Sequence, residues 1–203
     1  MYFKYSKKET DYLKQKDKVL SKAIDAIGKI KRPVDHDLFS SVIHTIVSQQ
    51  ISSAAKVTVW NRLVSKVDQD FTARSILAIS RDEIQSCGIS FRKTDSIRDF
   101  AEKVDSGEFD LEILPSLDDN EVIRRLSSLK GIGKWSAEML LLFTMQRPNI
   151  ISFGDLGILR GMRFLYGYDD VDRQTFDRHA AVYSPFGSVA SLYLWAIAGG
   201  VLK

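Results

Sequence analysis

Apolar residues recur along this 203-residue chain at spacings of three to five positions, which is the period of an amphipathic α-helix. Leu38, Val42 and Ile46 form one such face. Strand-like alternation is never sustained, although residues 149–153 favour a short extended piece, and the chain holds four prolines. The sequence therefore predicts an all-α fold.

The composition limits the class of protein. Hydrophobic residues make up 44% of the chain and charged residues 27%, which is ordinary globular usage. The length suits one or two domains of roughly 150 residues each. The most apolar stretch, residues 192–202, is shorter than the roughly 20 residues that span a bilayer. Because residues 1–16 lack the apolar core of a secretory signal, we expect a soluble protein that is cytoplasmic, or nuclear in a eukaryote.

Cysteine and histidine usage argues against a metal site. The single cysteine, Cys87, excludes an internal disulfide, an all-cysteine zinc site and a four-cysteine iron–sulfur cluster. The three histidines, His36, His44 and His179, lack the close spacing of a histidine metal site. The sequence predicts neither a metal ion nor another cofactor.

Positive charge is concentrated at the start of the chain. Residues 1–32 carry ten Lys or Arg side chains and four acidic ones, whereas the whole chain has a net charge of only +3. Such a basic segment could attract a polyphosphate, or it could be the solvated face of an N-terminal helix.

Two amphipathic segments within residues 126–143 are joined by Gly131-Ile132-Gly133. Two glycines around an apolar residue allow a tight turn that another molecule can approach closely, and Ile132 can point inward between the helices. The N–H groups of the turn, the start of the second helix and Lys134 would together suit an anion such as a DNA phosphate. The alternative is an ordinary αα-hairpin with a glycine linker.

A second motif follows the hairpin. Asp155 comes directly after Gly154 and precedes an apolar-periodic segment that contains Ile158, Leu159 and Met162. An aspartate at this point begins a helix and places a carboxylate at its N-terminus. Taken alone, this residue could be no more than a helix cap.

Together, the two motifs match a known pattern. The sequence L-K-G-I-G-K-W-S-A at residues 129–137 is followed by G-D-L-G-I-L-R-G at residues 154–161. This pair resembles the helix-hairpin-helix superfamily of base-excision DNA glycosylases, and Trp135 makes it most similar to the 3-methyladenine DNA glycosylase II branch. The resemblance covers nearly the whole chain. Three further segments agree in order, at residues 47–55, 87–93 and 183–195.

The resemblance implies a two-lobed, all-helical HhH-GPD fold without the N-terminal β-domain that some members carry. Residues 1–203 would form a single such unit. One lobe would span residues 38–146 and include the helix-hairpin-helix at 119–143. The other lobe would be discontinuous, formed by residues 1–37 and 147–203, with the DNA cleft between the lobes.

The implied activity is that of a monofunctional DNA glycosylase. It would flip an alkylated purine such as 3-methyladenine or 7-methylguanine out of duplex DNA, hydrolyse the N-glycosidic bond and leave an abasic site. Trp135 stands where bifunctional relatives place a lysine, so no strand cleavage is expected. The partner would be double-stranded DNA that contains damaged bases, and the protein would bind it as a monomer, with no membrane involved. A monovalent cation could bridge the hairpin and a DNA phosphate. The alternatives are the same fold acting on hypoxanthine or uracil, and a non-catalytic helix-hairpin-helix DNA-binding protein.

The resemblance also assigns site residues. Asp155 becomes the catalytic carboxylate, which stabilises an oxocarbenium-like sugar and orients or deprotonates the attacking water. Glu138 either reads a base edge or is an ordinary surface residue of its helix. The implied sets are a base pocket of Trp135, Glu138, Ser53, Phe186 and Tyr183, a DNA wedge of Gln50, Gln49 and Phe91, and a phosphate site of Gly131, Ile132, Gly133, Lys134 and Ser136.

Other roles stay open at this point. Gln49 and Gln50 could be an exposed polar helix end, and the aromatic residues Tyr183, Phe186 and Trp195 could belong to the core rather than to a pocket.

The chain also departs from the family at two positions of the C-terminal motif. Tyr183 stands where the family usually has tryptophan, and Gly187 where it usually has arginine. The missing cation puts in doubt either a contact with the DNA backbone or an ion pair around Arg160 and Asp155.

Overall fold

The computed structural model describes residues 1–67 and 70–201, and the all-α prediction is confirmed. Among these residues the only β-type contact is an isolated bridge between Tyr2 and Pro33. No helix in the described part of the chain is long and apolar enough to cross a membrane. The helices are α1 Lys7–Lys16, α2 Lys18–Ile27, α3 Leu38–Ser48, α4 Ser53–Val64, α5 Ala73–Ala78, α6 Arg81–Ser86, α7 Phe91–Asp105, α8 Asp119–Ser127, α9 Lys134–Phe143, α10 Leu156–Tyr166, α11 Arg173–Tyr183 and α12 Gly187–Ala198, with a 3-10 turn at Leu114–Ser116.

The expected extended piece at residues 149–153 forms no strand. Serine hydroxyls of α12 satisfy part of its backbone instead: the N–H of Ile150 donates to Ser188 Oγ, and Ser191 Oγ donates to the carbonyl of Ile150. Because these partners come from a helix, the segment needs no neighbouring strand.

The chain divides into two compact units, Asp35–Leu140 and the discontinuous Met1–Val34 with Leu141–Lys203. The boundary expected at residue 146 falls six positions earlier. Side chains that follow Leu140 contact the discontinuous unit: Gln146 Oε1 accepts from the N–H of Lys4, and the ring of Phe143 stacks on Trp195.

Aspartates begin several helices, and Asp118 with Glu121 three positions later predicts a start of the capping-box type. Asp118 starts α8 by accepting from the N–H groups of Asn120 and Glu121. Glu121 does not complete a capping box, because its carboxylate binds the guanidinium groups of Arg124 and Arg125. These two cations lower the pKa of Glu121 to about 2.

The core of the Asp35–Leu140 unit lies between α3, α5, α6 and α7. Phe39 of α3 stacks on Phe100 of α7, with ring centroids 5.2 Å apart. Ile46 of α3 and Ile97 of α7 are both almost fully buried. The predicted apolar face of α3 is thus buried, and its C-terminal end is held close to the start of α7.

In the discontinuous unit, α10 and α12 pack with almost no space between their backbones. A Cβ atom added at Gly161 of α10 would overlap the carbonyl oxygen of Leu194 and lie 2.8 Å from its carbonyl carbon. Glycine at this position therefore sets the separation of the two helices.

Replacing Gly161 with alanine should destabilise the protein by about 2–3 kcal/mol, because the added methyl group forces the α10 and α12 backbones apart. Urea unfolding followed by circular dichroism measures the change. Gly199→Ala is the matched control, since its Cβ would come no closer than 3.4 Å to any neighbouring atom, and it should shift the free energy of unfolding by about 0.5 kcal/mol or less. Equal stability of the two variants would contradict the packing argument.

Candidate active site

Asp155 is a buried carboxylate at the start of α10. Its Oδ1 accepts hydrogen bonds from the N–H of Ile158, at 2.9 Å, and from the indole Nε1–H of Trp195, at 3.0 Å. Only 7% of the residue is exposed. The first bond is the expected helix cap. The second comes from α12 and fixes the orientation of the carboxylate more firmly than a cap alone would.

The bond between Trp195 and Asp155 requires a glycine at position 157. A Cβ atom there would lie 2.8 Å from Cδ1 of the indole ring and 3.0 Å from Asp155 Oδ1. On its other side, Trp195 stacks on Phe143 with ring centroids 5.4 Å apart, and the guanidinium of Arg32 lies over Phe143 at 4.7 Å. The carboxylate is therefore supported by a stack of aromatic and cationic groups.

Sequence reasoning missed this role of Trp195, which it considered only as a pocket or core aromatic. The signal that could have found it is the glycine two positions after Asp155, since a glycine in the first turn of a helix leaves room for a side chain from another element.

The hairpin turn has one packed side and one open side. Gly131 has a φ of +86°, and a Cβ there would lie 3.4 Å from Ser96 Oγ of α7. Ile132 is buried, and its N–H donates to the carbonyl of Leu129. Gly133 is exposed, and a Cβ atom added there would meet no neighbouring atom within 4 Å. The inward direction predicted for Ile132 is thus observed, and the open side of the turn begins at Gly133.

The first turn of α9 carries the expected aromatic residue. Trp135 is 46% exposed, which is high for so large an apolar side chain. The ammonium group of Lys134 is mostly exposed and lies 3.9 Å from a carboxylate oxygen of Glu138, whose side chain is largely buried. Glu138 is therefore not the ordinary surface residue considered as the alternative. Ser136 is buried, and its expected place in the phosphate site stays a prediction.

The expected wedge residues occupy different environments. Gln50 is exposed and has a φ of +55°, a left-handed conformation that costs a residue other than glycine roughly 1–2 kcal/mol. Phe91, the first residue of α7, is also exposed, and the guanidinium of Arg81 lies over its ring at 4.3 Å. The half-buried Gln49 instead donates through its amide to the carbonyl of Gly131 at 2.7 Å, and its assignment to the wedge stays a prediction.

Tyr183 is not a pocket residue. It is completely buried, and its hydroxyl is bonded to that of Tyr166, which in turn donates to the carboxylate of Asp17. Burial raises the pKa of Tyr183. This tyrosine therefore belongs to the polar core that joins α11 to α10 and to the start of α2.

The two remaining pocket assignments differ in exposure. Phe186 is half-buried and packs edge-to-face against Tyr12, with ring centroids 5.2 Å apart. Ser53 is exposed at the first position of α4. Their contact with a base stays a prediction.

The glycine found in place of the family's usual arginine has a structural cause. The N–H of Gly187 donates to Oδ1 of Asn149, and a Cβ at this position would lie 3.0 Å from the same oxygen and 3.4 Å from Ile151 Cγ2. The segment before Asp155 thus occupies the space that a side chain would need. Arg160 is exposed and forms no ion pair within the described part of the chain.

The predicted residues are divided between the two compact units. Gln50, Phe91, Trp135, Glu138, Ser53 and the hairpin turn lie in the Asp35–Leu140 unit, and Asp155 and Phe186 lie in the discontinuous unit. Among residues 1–67 and 70–201, no three His, Cys, Asp or Glu side chains are grouped so that they could bind a metal ion.

Comparisons with known proteins agree on one family. Residues 43–185 match the model of the HhH-GPD superfamily base excision DNA repair proteins. The chain is 33% identical over 161 residues to DNA-3-methyladenine glycosylase 1 of Schizosaccharomyces pombe, covering 77% of this chain and 71% of the relative. It is 30% identical over 198 residues to a DNA-3-methyladenine glycosylase of Saccharomyces cerevisiae, covering 80% of this chain and 67% of the relative.

Solved structures are similar over almost the full length. A DNA-3-methyladenine glycosidase from Bacillus halodurans superposes with a TM-score of 0.89 at 32% identity, covering 98% of this chain and 93% of the other. The S. pombe 3-methyladenine DNA glycosylase in complex with abasic DNA superposes with a TM-score of 0.82 at 29% identity, covering 93% and 95% of the two chains.

Replacing Gly157 with alanine should break the hydrogen bond between Trp195 and Asp155, because the new methyl group would lie 2.8 Å from Cδ1 of the indole and force the ring to move. In ¹⁵N-labelled protein the three tryptophans provide three indole N–H signals. We expect the Trp195 signal to exchange with D₂O about tenfold faster in the variant, the order expected for the loss of one such bond. Gly199→Ala is the control, and an unchanged rate in Gly157→Ala would refute the assignment.

Proposed function

This chain belongs to the HhH-GPD superfamily of base excision DNA repair proteins, and from that premise we propose that it is a DNA glycosylase acting on alkylated purines in duplex DNA. The resemblance seen in the hairpin and in the motif at Asp155 is confirmed at the level of the family. The substrates proposed are bases such as 3-methyladenine and 7-methylguanine, which the enzyme would remove by hydrolysis to leave an abasic site. The observation that carries the proposal is the buried carboxylate of Asp155, which accepts hydrogen bonds from the N–H of Ile158 and from the indole of Trp195.

The reaction requires the damaged nucleotide to leave the base stack. Flipping costs a few kcal/mol and is easiest for a damaged or mismatched base. Gln50, which is exposed at the turn after α3, is proposed to enter the gap left in the duplex. The exposed Phe91 would contact the same region of the DNA.

The chemical step is proposed to use Asp155 alone among the carboxylates. As the bond between C1′ and the base nitrogen breaks, its electron pair neutralises the positive charge of the alkylated base, and positive charge develops on the sugar. Asp155 would stabilise that charge and accept a proton from the water that attacks C1′. Because a cationic base is already a good leaving group, the reaction needs no second carboxylate as a general acid.

Trp135 is proposed to bind the flipped base. Its indole is exposed, and the face of an indole attracts a positively charged purine by about 0.5–2 kcal/mol. An indole carries no amine that could attack the sugar, so the proposed enzyme forms no Schiff base and does not cleave the strand.

The hairpin is proposed to hold a DNA phosphate at Gly133 and Lys134, which form its open side. A bridging monovalent cation would need carbonyl oxygens as ligands. The carbonyls of Leu129, Gly131 and Gly133 each accept one N–H and retain a second lone pair, so they fit a loosely held cation. No step at the sugar passes through it.

The proposal predicts that Asp155→Asn lowers the single-turnover rate of 7-methylguanine excision by about 10²- to 10³-fold, because the preorganised negative charge is lost. The measurement uses a duplex oligonucleotide with one 7-methylguanine, followed by alkaline cleavage of the abasic product. Asp172→Asn is the matched control: Asp172 caps α11 as Asp155 caps α10, it accepts from the N–H of Thr175, and asparagine also caps well.

Several outcomes would overturn the proposal. Near-full excision by Asp155→Asn with intact DNA binding would remove the catalytic assignment. Excision of uracil or hypoxanthine in parallel duplexes, with 7-methylguanine and 3-methyladenine left intact, would move the substrate to another lesion. DNA binding by the wild type without excision of any of these bases would leave a DNA-binding protein.

Absence of lyase activity is a separate prediction. With borohydride present, the wild-type enzyme should form no covalent complex with a duplex that contains an abasic site, since Trp135 offers no amine. A denaturing gel detects trapping, and a bifunctional glycosylase serves as the positive control. A trapped complex would show that another amine of this chain, such as that of Lys134, reaches the sugar.

A further inference from the structure

The turn that follows α3 is held by a lysine from another helix. Lys93, the third residue of α7, donates through Nζ to the carbonyl of Val47 at 2.9 Å and to that of Gln49 at 2.5 Å. The last carbonyls of a helix have no partner within the helix and lie at its negative end, so a cation is suited to this position. Lys93 therefore acts as a cap on the C-terminus of α3.

The same turn is tied to the hairpin by a second contact. The side-chain amide of Gln49 donates to the carbonyl of Gly131, and because a carbonyl oxygen only accepts, the nitrogen end of the amide must face it. Gly131 in turn packs against Ser96 of α7, three residues beyond Lys93. The end of α3, the start of α7 and the hairpin turn thus form one connected structure.

Gln50 directly follows Gln49 and takes no part in these contacts. It is exposed, and its backbone is in the left-handed region, which glutamine seldom adopts unless neighbouring contacts impose it. Both contacts described above bind Gln49, the residue directly before it. The conformation of Gln50 is therefore imposed by the anchoring of its neighbour.

We propose that Lys93 is a positioning residue, which holds Gln50 in the conformation that enters the gap left by a flipped nucleotide. The inference rests on the proposed function only through the insertion of Gln50 into DNA. Lys93 itself need not touch DNA or the reacting sugar. A side chain that is already oriented loses less conformational freedom on insertion, so the effect should appear in the flipped state rather than in the chemical step.

The first measurement reads insertion without catalysis. A duplex with a tetrahydrofuran abasic analogue flanked by 2-aminopurine reports, by fluorescence, the environment of the gap when protein binds. We expect Lys93→Met to reduce the fluorescence change at saturating protein and to weaken binding about tenfold. Lys93→Arg, which retains a cation, should restore most of both. Lys66→Met is the matched control, since Lys66 is exposed in the same unit and forms no ion pair within the described residues.

A double-mutant cycle separates positioning from a general structural role. If Lys93 acts through Gln50, then adding Lys93→Met to Gln50→Ala should change the fluorescence signal and the affinity less than about twofold. Equal effects of Lys93→Met in the presence and absence of Gln50 would overturn the proposal, as would a Lys93→Met protein that behaves like wild type. If Lys93→Met does not fold by circular dichroism, Lys93→Gln takes its place in the cycle.

The design distinguishes this inference from the proposed function. Single-turnover excision of 7-methylguanine tests the glycosylase, whereas the abasic duplex needs no bond cleavage. A wild type that excises no base but shows the Lys93-dependent signal through Gln50 would refute the glycosylase and retain the positioning role. A wild type that excises the base but shows no dependence of the signal on Lys93 would retain the glycosylase and refute the positioning role.

Discussion

The close approach of α10 and α12 is the constraint on which the candidate active site depends. Gly161 allows the backbone of α10 to reach the carbonyl of Leu194, and one turn earlier Gly157 leaves room for the indole of Trp195. A hydrogen bond weakens steeply as its geometry departs from the optimum, so the bond to Asp155 exists only while the two helices keep this separation. The orientation of a single carboxylate is thus decided by helix packing over two turns.

In the unit that carries the hairpin, hydrogen bonds from Lys93 and Gln49, rather than close packing of helix backbones, hold the turn after α3. Where α3 ends, Lys93 donates to carbonyls that the helix leaves without a partner, and the amide of Gln49 donates to the carbonyl of Gly131 in the hairpin turn. The result is a set of connected hydrogen bonds next to one exposed side chain, Gln50. Rigid support lowers the entropy lost when such a side chain is ordered by a bound molecule.

Much of the fold and part of the site could be predicted from the sequence. The helical period, the helix starts at Asp118 and Asp155 and the inward direction of Ile132 all depend on residues close together in the chain. One assignment, that of Tyr183 to the base pocket, was wrong. A resemblance assigns a residue to a position in the family, but whether its side chain faces a cleft or a neighbouring helix depends on contacts that no local pattern contains.

The sequence by itself determined that this chain is helical and where several of its helices start, because periodicity and capping act over a few residues. The motifs at residues 129–137 and 154–161 carried its resemblance to the family. Only the tertiary structure decided what supports the functional groups. Trp195 reaches Asp155 across 40 positions of the chain, Lys93 reaches the end of α3 across 44 and 46, and Gln49 reaches Gly131 across 82. Contacts of that range are set by which helices pack together, and this is a property of the whole fold.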